Sequence, residues 1–371
     1  MKRLMFYLPI FIGILCLAIQ PAYARKASAQ PALFPVSPVV AKKGALEVYP
    51  SVSGNYLVYS QRIKKGSINE YQVVRVSKNS PQQEGRVIAP TQLYEAIRFG
   101  VAVRDGAIGY VSNRMGPIAA WMRQAHGDGH IAIANMGTFK GAFTPMHLKA
   151  SADGRVWAFD ITTQKIRRAK IMGDFSEDFL NMELVGQSWR MYDSDTIKYK
   201  QGYQATKTGR VNKLLPPSLF IFDRTTSQLM MIPRAFNGAV SPDGRRVVFV
   251  RENNGNYDLW MQGIDGSDLV QLTDTMYGEF EPAWSPDGKK IAFISNRDTE
   301  GDVRKTSIYV MNLSNIRVTR LTNARIATDG GPTWKDDKTI LFHSNRSFKK
   351  PQADTMDDWN IWQVNFMGAL R

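Results

Sequence analysis

The phrase Ser285-Pro286-Asp287-Gly288 is entered from Trp284 and left through Lys289-Lys290-Ile291-Ala292-Phe293-Ile294-Ser295-Asn296-Arg297. It recurs along the chain in worn copies, and that recurrence limits the possible folds more than any other feature. The nearest copy is Gly238-Ala239-Val240-Ser241-Pro242-Asp243-Gly244-Arg245-Arg246-Val247-Val248-Phe249-Val250, and others surround Asp105-Gly106, Asp153-Gly154 and Asp336-Asp337. The aspartates at 105, 153, 243, 287 and 336 are separated by 48, 90, 44 and 49 residues. A period of roughly 46 residues is the length of one blade in a radial array of small sheets. The long interval reads as two periods with one copy hidden.

The spelling of the repeat follows from turn chemistry. Proline presets φ, aspartate caps the turn with its side chain, and glycine takes φ > 0 without a steric cost. Ser-Pro-Asp-Gly is therefore a hairpin signal rather than a site. Alternation follows it, with Ile291, Phe293 and Ser295 on one face and Lys290, Ala292 and Ile294 on the other, as a strand packed between two sheets requires. An aromatic opens the third strand of most copies (Tyr71, Trp121, Phe220, Trp260, Tyr309 and Trp362). A regular aromatic column at one repeat position is core packing in the first instance, with a ligand-binding cage as the lesser reading.

The expected fold is all-β, a single β-propeller of four-stranded blades over residues 44–371. Copies near Ser53-Gly54, Asp105, Asp153, Asp193 to Lys200, Asp243, Asp287 and Asp336 predict seven blades. Six is the alternative if the degenerate copy, whose third strand is read at Ser218 to Phe222, is an insertion. The last copy ends at Trp362-Gln363-Val364-Asn365 without a fourth strand, and Phe34 to Val40 is expected to supply it, which closes the ring and removes its free edge.

Residues 1–24 carry Lys2, Arg3, an apolar run from Leu4 to Ile19 and Ala22-Tyr23-Ala24, the layout of a cleavable secretory signal. Residues 25–43 read as an extended lead-in. The chain has one cysteine, Cys16, so the exported product has neither disulfides nor thiolate chemistry, and no transmembrane segment is expected in it. With 48 basic and 33 acidic residues, loss of Lys2 and Arg3 leaves a charge of +13. Such an excess draws anionic partners by an attraction that salt weakens. Exported from the cytoplasm and lacking a nucleic-acid-binding motif, the chain is not expected to bind nucleic acid. Basic residues gather at Lys165, Arg167, Arg168 and Lys170 and at Lys198, Lys200, Lys207, Arg210 and Lys213, read first as solvated loops and second as a docking patch.

The phrase Pro282-Ala283-Trp284-Ser285-Pro286-Asp287-Gly288-Lys289-Lys290-Ile291-Ala292-Phe293, then Asn296-Arg297, Ile308-Tyr309-Val310-Met311-Asn312 and Arg320-Leu321-Thr322-Asn323, resembles the TolB-like β-propeller repeat. The resemblance is strong over 236–362 and weaker over 47–165. It implies a periplasmic, monomeric, non-enzymatic scaffold that binds envelope proteins, here ones with acidic surfaces. The family's best-known member serves the Tol-Pal system and carries a separate N-terminal α/β domain before a six-bladed ring; no such domain is read here. Similar repeats also build the propellers of prolyl oligopeptidase-type peptidases and oligogalacturonate lyases. Peptidase activity is not expected, because no Gly-x-Ser-x-Gly elbow occurs. An acidic-glycan enzyme or binding protein using the channel is the alternative, and lipid headgroups are a further anionic candidate.

Aligning the turns places His147 in one column with Tyr49, Phe99, Asn237, Glu281 and Gly331. One step earlier stand Arg98 and Gly330, and one step before those Asp329 and Glu279. Innermost strands line a propeller's channel, so His147, Asn237, Glu281, Arg98 and Asp329 are the candidate ligand or partner site, with polar residues bathed in water as the plain alternative. No catalytic residue, cofactor or metal site is assigned, and a channel cation stays open. His126 and His130 lie in a turn and read as solvated; His343 takes the place of Ile294 and reads as packed. The arginines of Asn113-Arg114, Asn296-Arg297 and Asn345-Arg346 are expected to bond loop carbonyls or a neighbouring blade's aspartate.

Overall fold

A computed structural model describes residues 34–41, 46–65, 68–91, 97–112, 114, 119–133, 143–165, 204–205, 211–214, 218–253, 256–302, 305–323, 327–346 and 359–366. Among these, the strands form six antiparallel sheets, the blades of a propeller. The first is Leu46–Ser53, Tyr56–Lys65, Ile68–Ser77 and Arg86–Ile88; the second is Ile97–Ala102, Ile108–Ser112, Ala119–Arg123 and His130–Ala132. The third is built on Phe143–Ala150, Val156–Lys165, Ser218–Asp223 and Gln228–Pro233. The fourth runs Ala235–Val240, Arg246–Asn253, Asn256–Gly263 and Val270–Gln271, and the fifth Glu279–Trp284, Lys290–Ser295, Ser307–Asn312 and Arg317–Arg320. The sixth joins Asp329–Asp336, Thr339–Ser344 and Asn360–Asn365 to the N-terminal strand Val36–Val40.

That last pairing is the expected closure: Val36 faces Val364 and Pro38 faces Trp362 in antiparallel register. Val39 and Val40 are buried with Leu57, Tyr59, Leu341 and Ile361, so the strand is held by apolar packing as well as by its ladder.

The expectation of seven blades is overturned. The interval from Asp153 to Asp243 is one blade carrying an insertion. Val156 to Ile161 pair directly with Asp223 to Ser218, so Ser218 to Phe222 is the third strand of the blade that begins at Asp153. Two short strands of the insertion, Gln204–Ala205 and Val211–Leu214, extend the same sheet through Gln164 and Lys165. Both basic clusters fall in or beside this insertion, and their side chains lie outside the described residues, as does the expected signal segment. Among the described residues no helix is long and apolar enough to cross a membrane.

The turns behave as the spelling requires. Ser285 Oγ donates to Asp287 Oδ1 at 2.5 Å, the N–H groups of Lys289 and Lys290 bond Asp287 Oδ1 and Ser285 Oγ, and Gly288 takes φ +67°. Ser241-Asp243 and Ser151-Asp153 repeat these bonds. Beyond each turn the second strand is buried on both faces, as in Ile291, Ala292, Phe293 and Ile294, all fully inaccessible. The third-strand aromatics pack on second-strand rings across the sheet: Phe220 stacks on Phe159 at 6.0 Å and Tyr309 on Phe293 at 5.7 Å. Such pairs add to area burial and hold the register. Neighbouring blades are joined by indoles, with Trp284 Nε1 donating to Ala239 O and Trp334 Nε1 to Ala283 O.

Candidate functional site

Each innermost strand shifts register at one shared repeat position, and that of the sixth blade shifts again between Trp334 and Asp336. The register shifts after Val48, Arg98, Met146, Phe236, Phe280 and Gly330. The next residue in each case is left-handed: Tyr49, Phe99, His147, Asn237, Glu281 and Gly331 have φ between +49° and +56°. These are six bulges at one repeat position. A bulge re-aims a side chain and frees a backbone N–H from its ladder partner. All six residues line one narrow waist of the channel, a cavity of about 30 Å³.

Five N–H groups at these bulges are taken up by the neighbouring blade among the described residues. Glu281 N donates to Asn237 Oδ1 at 3.3 Å, Gly331 N to Glu281 Oε2 at 2.6 Å, and Tyr49 N to His343 Nδ1 at 3.3 Å. Asn237 N donates to Asp160 Oδ1 at 3.3 Å, and Gly100 N to Ser60 Oγ at 3.4 Å. Asp160, Ser60 and His343 occupy equivalent places on their second strands, facing Met146, Val48 and Gly330. Asp160 also receives His147 Nδ1 at 2.7 Å. A carboxylate only accepts, so Nδ1 carries the proton. The remaining arc is aromatic, with Tyr49, Phe99 and His147 in ring contact at 5.1 and 5.7 Å.

His147, Asn237 and Glu281 thus meet at the waist, Asn237 and Glu281 as links between blades and His147 held by Asp160 of its own blade. Asp329 does not join them. It is fully buried at the start of its strand, with its Oδ2 2.5 Å from Arg346 Nη2. Glu279 is held in the same way by Arg297 at 2.6 Å. The Asn-Arg arginines at 297 and 346 therefore pair with the acid that opens their own blade, and not with a neighbouring blade's aspartate as expected. Arg98 pairs through its backbone with Val111; its side chain lies outside the described residues. His343 is completely buried. His130 Nδ1 is 2.5 Å from the Tyr110 hydroxyl, an anchored place rather than a solvated one. Among the described residues no three His, Cys, Asp or Glu side chains gather as metal ligands.

On the turn side of the waist the channel widens into a funnel of about 330 Å³. Its lining mixes apolar and basic residues. Ala239, Val240, Pro242, Ala283, Trp284 and Pro286 form an apolar wall from the fourth and fifth blades, continued by Trp334. The other blades contribute the cations Lys78, Arg104, Lys149 and Lys335 among Ser51, Ser53, Thr333 and the apolar Val52, Val101, Ala102, Ala150 and Ala152, and no carboxylate lines the funnel among the described residues. Lys78 Nζ is 3.3 Å from Lys335 O. Lys149 lines both funnel and waist; burial pulls its pKa below the usual lysine value, and the Glu281 carboxylate opposes that. The turn aspartates at the rim are occupied with their own turns. Burial opposes the ionisation of Asp153, Asp243 and Asp287, yet the hydrogen bonds from serine and backbone hold their pKa values below the ordinary one.

None of these four cations was singled out from sequence. The signal for Lys149 was present: two residues beyond the bulge the column reads Ser51, Val101, Lys149, Ala239, Ala283 and Thr333, with one charge among small or apolar residues.

No family model matches the chain. A TolB homologue of Chlorobium chlorochromatii is 35% identical over 186 residues, covering 47% of this chain and 40% of that protein. The Tol-Pal system protein TolB of Alcanivorax borkumensis is 31% identical over 162 residues, covering 40% and 35%. The dipeptidyl-peptidase 5 of Porphyromonas gingivalis is 40% identical over 78 residues, covering 19% and 11%. The matched stretches thus span 40% or less of these curated relatives. A solved acylaminoacyl peptidase superposes with a TM-score of 0.50 at 10% identity, covering 81% of this chain and 43% of that one, a likeness of fold. Repeat, blade geometry and sequence similarity agree on a TolB-like β-propeller, six-bladed among the described residues.

Proposed function

We propose that this chain is an exported, non-enzymatic scaffold of the cell envelope, whose propeller docks a protein partner with an acidic surface through its turn face. The observation that carries this reading is the convergence of Lys78, Arg104, Lys149 and Lys335 on the funnel from four blades, with no carboxylate among the described lining residues. The whole chain's excess of basic residues points the same way, since a cleft lined by one sign of charge focuses its field on incoming partners. Ring faces built from many short loops suit docking. The polar waist residues, which lyase chemistry would need free, are engaged within the ring, with His147 held by Asp160 of its own blade and Asn237 and Glu281 bonded to the backbone of the adjacent blade.

The test is capture from envelope extract by the purified chain at low and at physiological ionic strength, with bound proteins identified by mass spectrometry. One stoichiometric acidic partner, released by salt, is expected. Recovery of none at low salt, alongside turnover of uronic-acid oligomers, would replace the scaffold with the glycan enzyme.

A further inference from the structure

We infer that the funnel is a binding site for a compact organic acid, a small molecule with one or two carboxylates on an apolar body. This goes beyond the scaffold reading, with which it shares the four basic residues of the funnel.

The mixed lining, mostly apolar or small with four basic side chains, is the first reason. A site that served charge alone would be cationic all round; here Val240, Pro242, Trp284, Pro286 and Trp334 face a space that is also lined by Lys78, Arg104, Lys149 and Lys335. Both indoles are fixed in place by bonds to neighbouring carbonyls, so the apolar wall is preformed. An apolar lining with a few convergent polar groups is the usual anatomy of a small-molecule site, and the volume lies at the lower end of the roughly 300–1,000 Å³ such sites occupy.

The second reason is Lys149. Its ammonium is held partly buried at the junction of funnel and waist, where losing solvent disfavours its charge. A cation kept in such a place gains most from an anion delivered to it. Beside it in the waist, Asn237 is 4% exposed, and its Nδ2 has no hydrogen-bond partner among the described residues. An unpaired buried donor is costly, and this one lies next to the funnel floor. Glu281 also lines the waist, with Oε2 taken by Gly331 N. It repels an anion from going deeper, which sets the depth at which the carboxylate stops and leaves the apolar body against the indoles.

The inference is tested on the purified chain by calorimetry and thermal shift. The probes are benzoate, phenylpropionate and cyclohexanecarboxylate, each set against its neutral amide, with inorganic sulfate as the charge-only control. The carboxylates should bind and raise Tm, while amides and sulfate should not. Lys149→Met should weaken binding about tenfold, the loss of one charge-assisted contact. Arg104→Gln, at an exposed position, should weaken it in the same direction. Equal binding of acid and amide, sulfate matching the organic acids, or unchanged affinity in both variants overturns the assignment. So does tighter binding of a uronic-acid oligomer or an acidic peptide at the same place. Failure of partner capture has no bearing on these readouts, so this site and the scaffold can fail separately.

Discussion

His147 Nδ1 lies 2.7 Å from Asp160 Oδ2, while the other oxygen of Asp160 accepts the N–H of Asn237 across the blade boundary at 3.3 Å. One fully buried carboxylate thus serves two left-handed bulge residues on adjacent blades. Asp160→Ala leaves a buried imidazole N–H and a backbone N–H without an acceptor, so the expected loss in urea unfolding is about 3–5 kcal/mol. Asp160→Asn keeps one acceptor and should lose less. If the alanine variant falls within 1 kcal/mol of the wild type, roughly the value of one net hydrogen bond, the link between these blades is not made here.

Asp329 and Arg346 form a second buried device. The carboxylate is fully inaccessible, and burial pushes its pKa up against the pull of Arg346. Arg346→Met strands that charge and should cost about 3–5 kcal/mol. The double change Asp329→Leu with Arg346→Met should recover most of it, because desolvation of both ions disappears with them. Arg297→Met should cost less than Arg346→Met, since Arg297 keeps 22% of its side chain in solvent. A double variant no more stable than Arg346→Met alone would show that the pair matters for something other than its charges.

The contrast between these residues and the funnel shows where sequence reasoning stopped. The Ser-Pro-Asp-Gly register located the bulge column, because a turn of fixed geometry sets the distance to every inner strand, and it located the closing strand at Val36–Val40. It failed on the blade count because spacing alone cannot tell two periods from one period with a long insertion; the pairing of Ile161 with Ser218 decides that. It read the polar column as available for a ligand because the residue types are right. A bulge's need for an acceptor from the next blade is a three-dimensional requirement that no single copy of the repeat displays. Lys78 and Arg104 reach the funnel from outside that column, so a reading confined to it had no reason to include them.

Asp258 supplies a pH dependence. It sits on the third strand of the fourth blade, where burial and the negative charge of Glu279 raise its pKa to about 6 from 3.8. The folded state therefore binds this proton more tightly than the unfolded chain. The stabilisation is complete below about pH 4 and is lost as pH rises through about 6, a span worth at most about 3 kcal/mol. Asp258→Asn removes the titration. Its stability relative to the wild type should rise between pH 4 and 7, measured by urea unfolding at several pH values. A difference that stays flat over that range would place the raised pKa elsewhere.

The six-bladed reading makes its own prediction about the insertion. Val156 to Ile161 pair directly with Asp223 to Ser218, while the described strands of the insertion join this sheet only at Gln164 and Lys165. Replacing residues 166–217 with a short turn should therefore leave the ring folded, with cooperative unfolding and a Tm within a few degrees, because a shorter loop also lowers the closure entropy. Removing residues 34–40 should do the opposite. That strand covers the outer edge of Asn360–Asn365 and buries Val39 and Val40, and its loss exposes an unpaired edge beside an apolar core, a template for aggregation. Size-exclusion chromatography with thermal melts of both truncations separates the cases. A collapsed ring after removal of the insertion, with the N-terminal truncation unharmed, would contradict both the blade count and the closure on which it rests.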